Sequence, residues 1–220
     1  MKKLILSLAA ACLFLNVSAQ SDSAYFEVGM NAIRLVKMGV GNGEFESDKW
    51  NPYIFTCNLG IKRISLRFGV GYESAFRSEL PSSANGQTSS DTSFIKSDMR
   101  FGLGWEIGLG KKWSVKLGAD YITARQVSSF TSKFISEADI AVENKLEYVM
   151  RERGVSPFVF IQYHISERVS LGTELLWRFS SYTLVETDDS NLNSVKLERK
   201  YEGTKRFLQA PSALFVSVRF

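Results

Sequence analysis

Apolar and polar residues alternate with a period of two along most of the chain, the pattern of strands with two unlike faces. In 66–76, Leu66, Phe68, Val70, Tyr72 and Phe76 hold one phase, and Arg67, Gly69, Gly71, Glu73 and Ala75 hold the other. In 97–109, Met99, Phe101, Leu103, Trp105, Ile107 and Leu109 alternate with Asp98, Arg100, Gly102, Gly104, Glu106 and Gly108. Segment 113–121 sets Trp113, Val115, Leu117 and Tyr121 against Lys116, Gly118 and Asp120. Segment 169–179 sets Leu171, Leu175, Trp177 and Phe179 against Gly172, Glu174 and Arg178. The last strand sets Leu214, Val216, Val218 and Phe220 against Ala213, Phe215, Ser217 and Arg219. Segments 24–36, 50–60 and 155–165 are less regular and still strand-like.

The polar phase carries the architectural information, because its charges are interspersed with glycine. Glycine weakens a strand and gives a water-facing surface nothing. The interior of a small closed barrel does need small residues. The alternation therefore predicts an all-β chain: an eight-stranded antiparallel up-and-down transmembrane β-barrel, apolar phase toward lipid and glycine-plus-charge phase toward the lumen. The connections agree. Three are short, at Ile61-Lys62-Arg63, Gly110-Lys111-Lys112 and Ser166-Glu167-Arg168, and they alternate with four longer ones near 37–49, 77–94, 127–145 and 186–205. Short periplasmic turns and long external loops are the habit of outer-membrane barrels. Pro52, Pro157 and Pro211 are expected near the external rim, where a lost ladder bond is tolerated, and Pro81 in a loop.

Residues 1–20 read as a cleaved secretory signal, with Lys2 and Lys3 ahead of an apolar run over 4–15 and Val17-Ser18-Ala19 before the cut. The apolar run is short for a membrane anchor, and apolar Leu13-Phe14-Leu15 continues past Cys12, against lipidation there. The barrel domain is then 21–220, with Cys57 its only cysteine, so no intrachain disulfide can form. A net charge of +4 over 220 residues gives no nucleic-acid footprint. Neither a metal-ligand cluster nor a cofactor motif stands out; Gly102-x-Gly104 and Gly108-x-Gly110 lack the helix that a phosphate loop needs. Gly39-Val40-Gly41-Asn42-Gly43 reads as loop, and Cys57 as a wall residue.

The terminal Leu214-Phe215-Val216-Ser217-Val218-Arg219-Phe220 resembles the C-terminal signature of bacterial outer-membrane proteins. With the signal and the strand count, residues 22–220 resemble barrels of the OmpA/OmpX transmembrane type and, equally loosely, PorT-like barrels. That resemblance implies the outer membrane of a Gram-negative envelope. The implied partners are outer-membrane lipid and lipopolysaccharide, and a barrel-assembly machinery that reads Leu214, Val216, Val218 and Phe220. No peptidoglycan-binding domain is expected after the last strand.

Nine charges fall on the lumen phase: Arg67, Glu73, Asp98, Arg100, Glu106, Lys116, Asp120, Glu174 and Arg178. In so narrow a space they should pair and plug the barrel; a narrow small-solute pore is the alternative. His164-Ile165-Ser166 resembles the H-x-S of PagL-like lipid A deacylases, which would make His164 the base and Ser166 the nucleophile. Glu167 stands where that family has Asn, and the segment falls at a periplasmic turn, so no catalytic role is expected. Tyr53, Tyr72, Trp113, Tyr121, Tyr163, Trp177 and Phe220 are expected in interfacial girdles. The loop 77–94 and the balanced-charge segment 186–205 are the surfaces expected to meet a partner, the second as a protruding ribbon of two strands.

Overall fold

A computed structural model describes residues 24–40, 51–79, 87–135, 141–190, 196–209 and 211–220. The expected leader 1–20, Gly41-Asn42-Gly43 and Pro81 lie outside them. The described chain is nearly all antiparallel strand: β1 Ala24–Asn31, β2 Phe55–Ile61, β3 Ile64–Glu79, β4 Gln87–Leu109, β5 Trp113–Ile135, β6 Ala141–His164, β7 Val169–Ser190, β8 Leu197–Gln209 and β9 Phe215–Arg219. One helix, α1 Ala32–Val40, follows β1. It is not long or apolar enough to cross a membrane, which says nothing of strands.

From β1 to β8 each strand pairs with the next in an up-and-down order, and β9 pairs both β7 and β1, closing a ring compatible with a β-barrel. β8 and β9 are the upper and lower parts of one wall strand, so the ring has eight positions. Between Leu176↔Gln209 and Gly172↔Phe215, five residues on that strand face three on β7. An excess of two bulges the wall and preserves the inward–outward phase, whereas an excess of one would turn every later side chain over. Thr173 Oγ1 donates to Ala213 O across the bulge at 2.8 Å. The ring is sealed at the C-terminus by reciprocal backbone bonds between Phe26 and Phe220.

The three short turns stand where expected. Lys62 (φ 56°) and Gly110 (φ 80°) supply the left-handed residues that tight hairpins need. The longer connections are mostly strand instead. β3 runs to Glu79, β4 starts at Gln87, β5 runs to Ile135 and β6 starts at Ala141, so the described parts of 77–94 and 127–145 are strand. The 186–205 ribbon is present, with β7 and β8 paired from Leu176↔Gln209 to Asp188↔Leu197. Above the short β1 and β2 the ring opens: β3 to β8 continue as a six-stranded sheet.

One expectation at the strand ends is corrected. The strand expected over 24–36 stops at Asn31, whose Oδ1 accepts from Arg34 N and caps the helix. Pro157 lies inside β6 opposite Ala119, two residues from Val155. The β6–β5 ladder is continuous there, while Ser156 and Pro157 have no partners on β7. Proline removes a donor from one side only, and one ladder carries the loss.

Candidate functional site

Burial inverts the arrangement of an ordinary globular domain. Among the described residues, the buried side chains comprise 9 hydrophobic and 22 polar or charged ones. Large apolar side chains are exposed on the outward phase, among them Leu59, Leu66, Phe101, Leu103, Trp105, Leu117 and Val155. The inward phase holds the charges, and the structure gathers them into three groups, each of two cations and two anions.

Nearest the C-terminal seam, Lys116 Nζ lies 3.1 Å from Glu27 Oε2 and 3.9 Å from Glu106 Oε2. Arg219 Nη2 bridges the same two carboxylates at 3.2 Å each. Tyr25 OH donates to Glu106 at 2.6 Å, and Asn58 Nδ2 to Glu27 at 3.1 Å. In the middle, Glu174 takes Arg67 on one oxygen and Arg100 Nη1, at 2.7 Å, on the other. Asn51 Nδ2 adds a bond to Glu174 at 2.9 Å. Asp120 faces the two guanidinium groups at 3.7 and 3.5 Å, held by charge and not by hydrogen bonds. Higher still, Arg178 spans Glu152 at 2.7 Å and Asp98 at 3.3 Å, and buried Lys96 faces Asp98.

Glycine makes this packing possible by absence. A Cβ on Gly69 would sit 2.5 Å from Arg100 Nε, and one on Gly102 would sit 2.2 Å from Asp120 Oδ1. Gly118 and Gly172 leave room for the rings of Phe158 and Phe160. Gly71 admits the backbone of 51–54, which turns into the ring; a Cβ there would meet Pro52 O at 2.1 Å. Tyr53 is consequently buried under Arg100, 4.0 Å from ring centroid to Cζ, and joins Phe158, Phe160, Leu176, Ala213 and Phe215. Its expected place in a girdle is thus wrong: the chain leaves the wall before β2, and the strand phase does not apply to it. Helix α1 is tied to the mouth, where Arg34 pairs with Glu73 at 3.1 Å and donates to Asn51 O at 3.1 Å.

Every one of the nine expected lumen charges lies on the inward phase, with Glu73 and Glu106 the more open of them. Their partners Glu27, Lys96, Glu152 and Arg219 were missed, Lys96 lying one residue ahead of the segment read from 97. Glu27 and Arg219 each occupy the polar phase of a terminal strand, a signal present in Tyr25-x-Glu27-x-Gly29 and Ser217-x-Arg219. Glu152 lies in β6 ahead of the strand start expected at 155.

His164 and Ser166 are not joined. The His164 Nε2 partner is Ser114 Oγ at 3.1 Å, while Ser166 Oγ accepts from Arg168 N and Val169 N and closes the β6–β7 turn. Leu214, Val218 and Phe220 are exposed on the outward face, with Val216 half-buried beside them. Trp113, Tyr121 and Trp177 are exposed, Tyr72 and Tyr163 are half-buried, and Cys57 is a half-buried wall residue. Among the described residues no group of three His, Cys, Asp or Glu side chains is arranged to hold a metal ion. No family model, no curated protein and no solved structure matches this chain.

Proposed function

We propose that the ring is a transmembrane β-barrel of a Gram-negative outer membrane, with a structural or interaction role and a lumen plugged by its own ion pairs. One observation carries the reading: the described side chains bury charge and expose Leu, Phe and Trp in alternation around a closed ring. Water gives no reason for that arrangement, and acyl chains do. The apolar outward span is 9 residues on β5 (113–121) and, Thr173 apart, 11 on β7 (169–179), against the 9–11 that a tilted strand needs to cross. Each interior group sums to zero charge, so no sign of ion is favoured along the axis. Arg67 over Phe158 and Arg100 over Tyr53 fill the cross-section.

The interaction role falls to the β7–β8 ribbon, whose outer edge on β8 pairs with no other strand among the described residues. No catalysis is assigned to His164 and Ser166, since the turn occupies the serine. The test is flotation of the refolded chain with phosphatidylcholine vesicles, followed by conductance in planar bilayers. The expected result is flotation without single-channel steps. A chain that stays monodisperse in detergent-free buffer overturns the membrane reading, and reproducible steps overturn the plug.

A further inference from the structure

The outward face holds a second charge arrangement that the interior does not need. Outward positions are apolar from 113 to 121 on β5, from 155 to 163 on β6 and, Thr173 apart, from 169 to 179 on β7. This belt ends on one ladder row, Tyr121↔Val155↔Phe179, with the three side chains 51%, 49% and 48% exposed. The first outward charges above it on β5 and β6 are arginines, Arg125 on β5 and Arg153 and Arg151 on β6, and Arg206 of β8 stands on the row itself opposite Phe179; on β7 no outward charge comes before Asp189. Arg125 and Arg151 are direct cross-strand partners. Like charges placed opposite each other destabilise a sheet. Among the described residues, neither Arg125, Arg151 nor Arg153 has a carboxylate within ion-pair distance. The three line an open groove of about 1030 Å³ together with the hydroxyls of Ser181, Thr183 and Thr204. The carboxylates of the lining, Glu198 and Glu202, both stand on β8 with Lys200, which holds Glu202 at 2.8 Å.

We propose that this groove binds the phosphate groups of a lipid headgroup, with the acyl chains lying down the belt below. The inference rests on the membrane reading above. Guanidinium groups form two-pronged bonds with phosphate, and a phosphate between Arg125 and Arg151 relieves their repulsion. The apolar row directly beneath favours an amphiphile over free phosphate. The chemistry is shared with any phosphomonoester, so the experiment separates the sources.

Full-length protein refolded in nonionic detergent is titrated with diphosphoryl lipid A and followed by native mass spectrometry. The expected result is a retained lipid adduct that weakens at least ~10-fold in the Arg125→Gln, Arg151→Gln, Arg153→Gln triple variant. Dephosphorylated lipid A shows the same loss on the wild type, and millimolar inorganic phosphate does not displace the adduct. Equal retention by the triple variant, equal binding of the dephosphorylated lipid, or displacement by inorganic phosphate overturns the proposal. Both proteins are also floated with phosphatidylcholine vesicles. Flotation of both with no arginine dependence of lipid A binding removes this inference alone; failure of both to float removes the membrane reading with it. Flotation of the triple variant also shows that it folds.

Discussion

Below the row of Tyr121, Val155 and Phe179, the strands present one buried charged face and one exposed apolar face; above it, β8, the outer strand of the β7–β8 ribbon, is open on both. In the lower part Arg100, Lys116, Asp120 and Glu174 are almost wholly shielded, and each lies within 4 Å of an opposite charge. In the upper part Glu198, Arg199, Lys200 and Glu202 all lie open, and the Lys200–Glu202 pair is 61% and 67% exposed. β4 to β7 run through both parts in one register, so the strand backbone does not cause the difference. The surroundings do. A charge facing the crowded ring interior must find a partner, because burying it alone costs several kcal/mol, on the order of a fold's whole margin. A charge on the ribbon is hydrated and gains little from its neighbour. Pairing is therefore compulsory inside the ring and incidental outside it.

The sharpest way to break this comparison is to remove one shared partner from the interior. Glu174→Gln leaves Arg67 and Arg100 facing only Asp120, and the expected cost is about 3–5 kcal/mol. A urea titration of the detergent-refolded protein, read by tryptophan fluorescence, checks it. A midpoint equal to wild type means that the interior ion pairs do not hold the ring. The outward face supplies the next test. Leu117→Arg places a charge midway along the uncharged span of β5 and costs about 2–4 kcal/mol in a lipid bilayer. The same charge at Thr187, on the ribbon, stays within about 0.5 kcal/mol. Equal effects at the two sites, measured in vesicles, remove the distinction between belt and ribbon.

The ring was legible because the period of two determines which face each residue occupies, and glycine in the polar phase tells which face is crowded. Arg67, Arg100 and Glu174 could be placed inside on that ground alone, though not paired with each other, since pairing depends on the stagger between strands distant in sequence. Phase arguments failed wherever the chain leaves the wall. At 32–36 the run Ala-Ile-Arg-Leu-Val suits strand or helix, and the cap at Asn31 decides between them. At Tyr53 the backbone turns inward through the gap that Gly71 leaves, a contact between separate strands that no local pattern encodes. Strand ends were set too early at 127 and 186 because Ser, Thr and charged residues read as loop. On a ribbon wet on both faces they are ordinary strand residues.

Smaller effects sharpen how the interior is filled. Gly172→Val drives a side chain into the Phe160 ring, whose Cζ lies 2.4 Å from the position of a Cβ, and should cost about 1–3 kcal/mol. Paired with Phe160→Leu, the two costs should fall short of their sum, since the smaller side chain vacates the contested volume. Strict additivity in the same urea titration places the strain elsewhere. The smallest effect is expected where the ring meets its cap. Asn31→Ala removes both the acceptor for Arg34 N and the 3.3 Å bond to Tyr53 O, a loss of about 1 kcal/mol that stays local. Hydrogen exchange at the Arg34 amide should quicken, while the amides of β4 and β5 keep their wild-type rates. Faster exchange in β4 and β5 as well would mean that the helix and 51–54 brace the ring, and that closure of the wall is not independent of its cap.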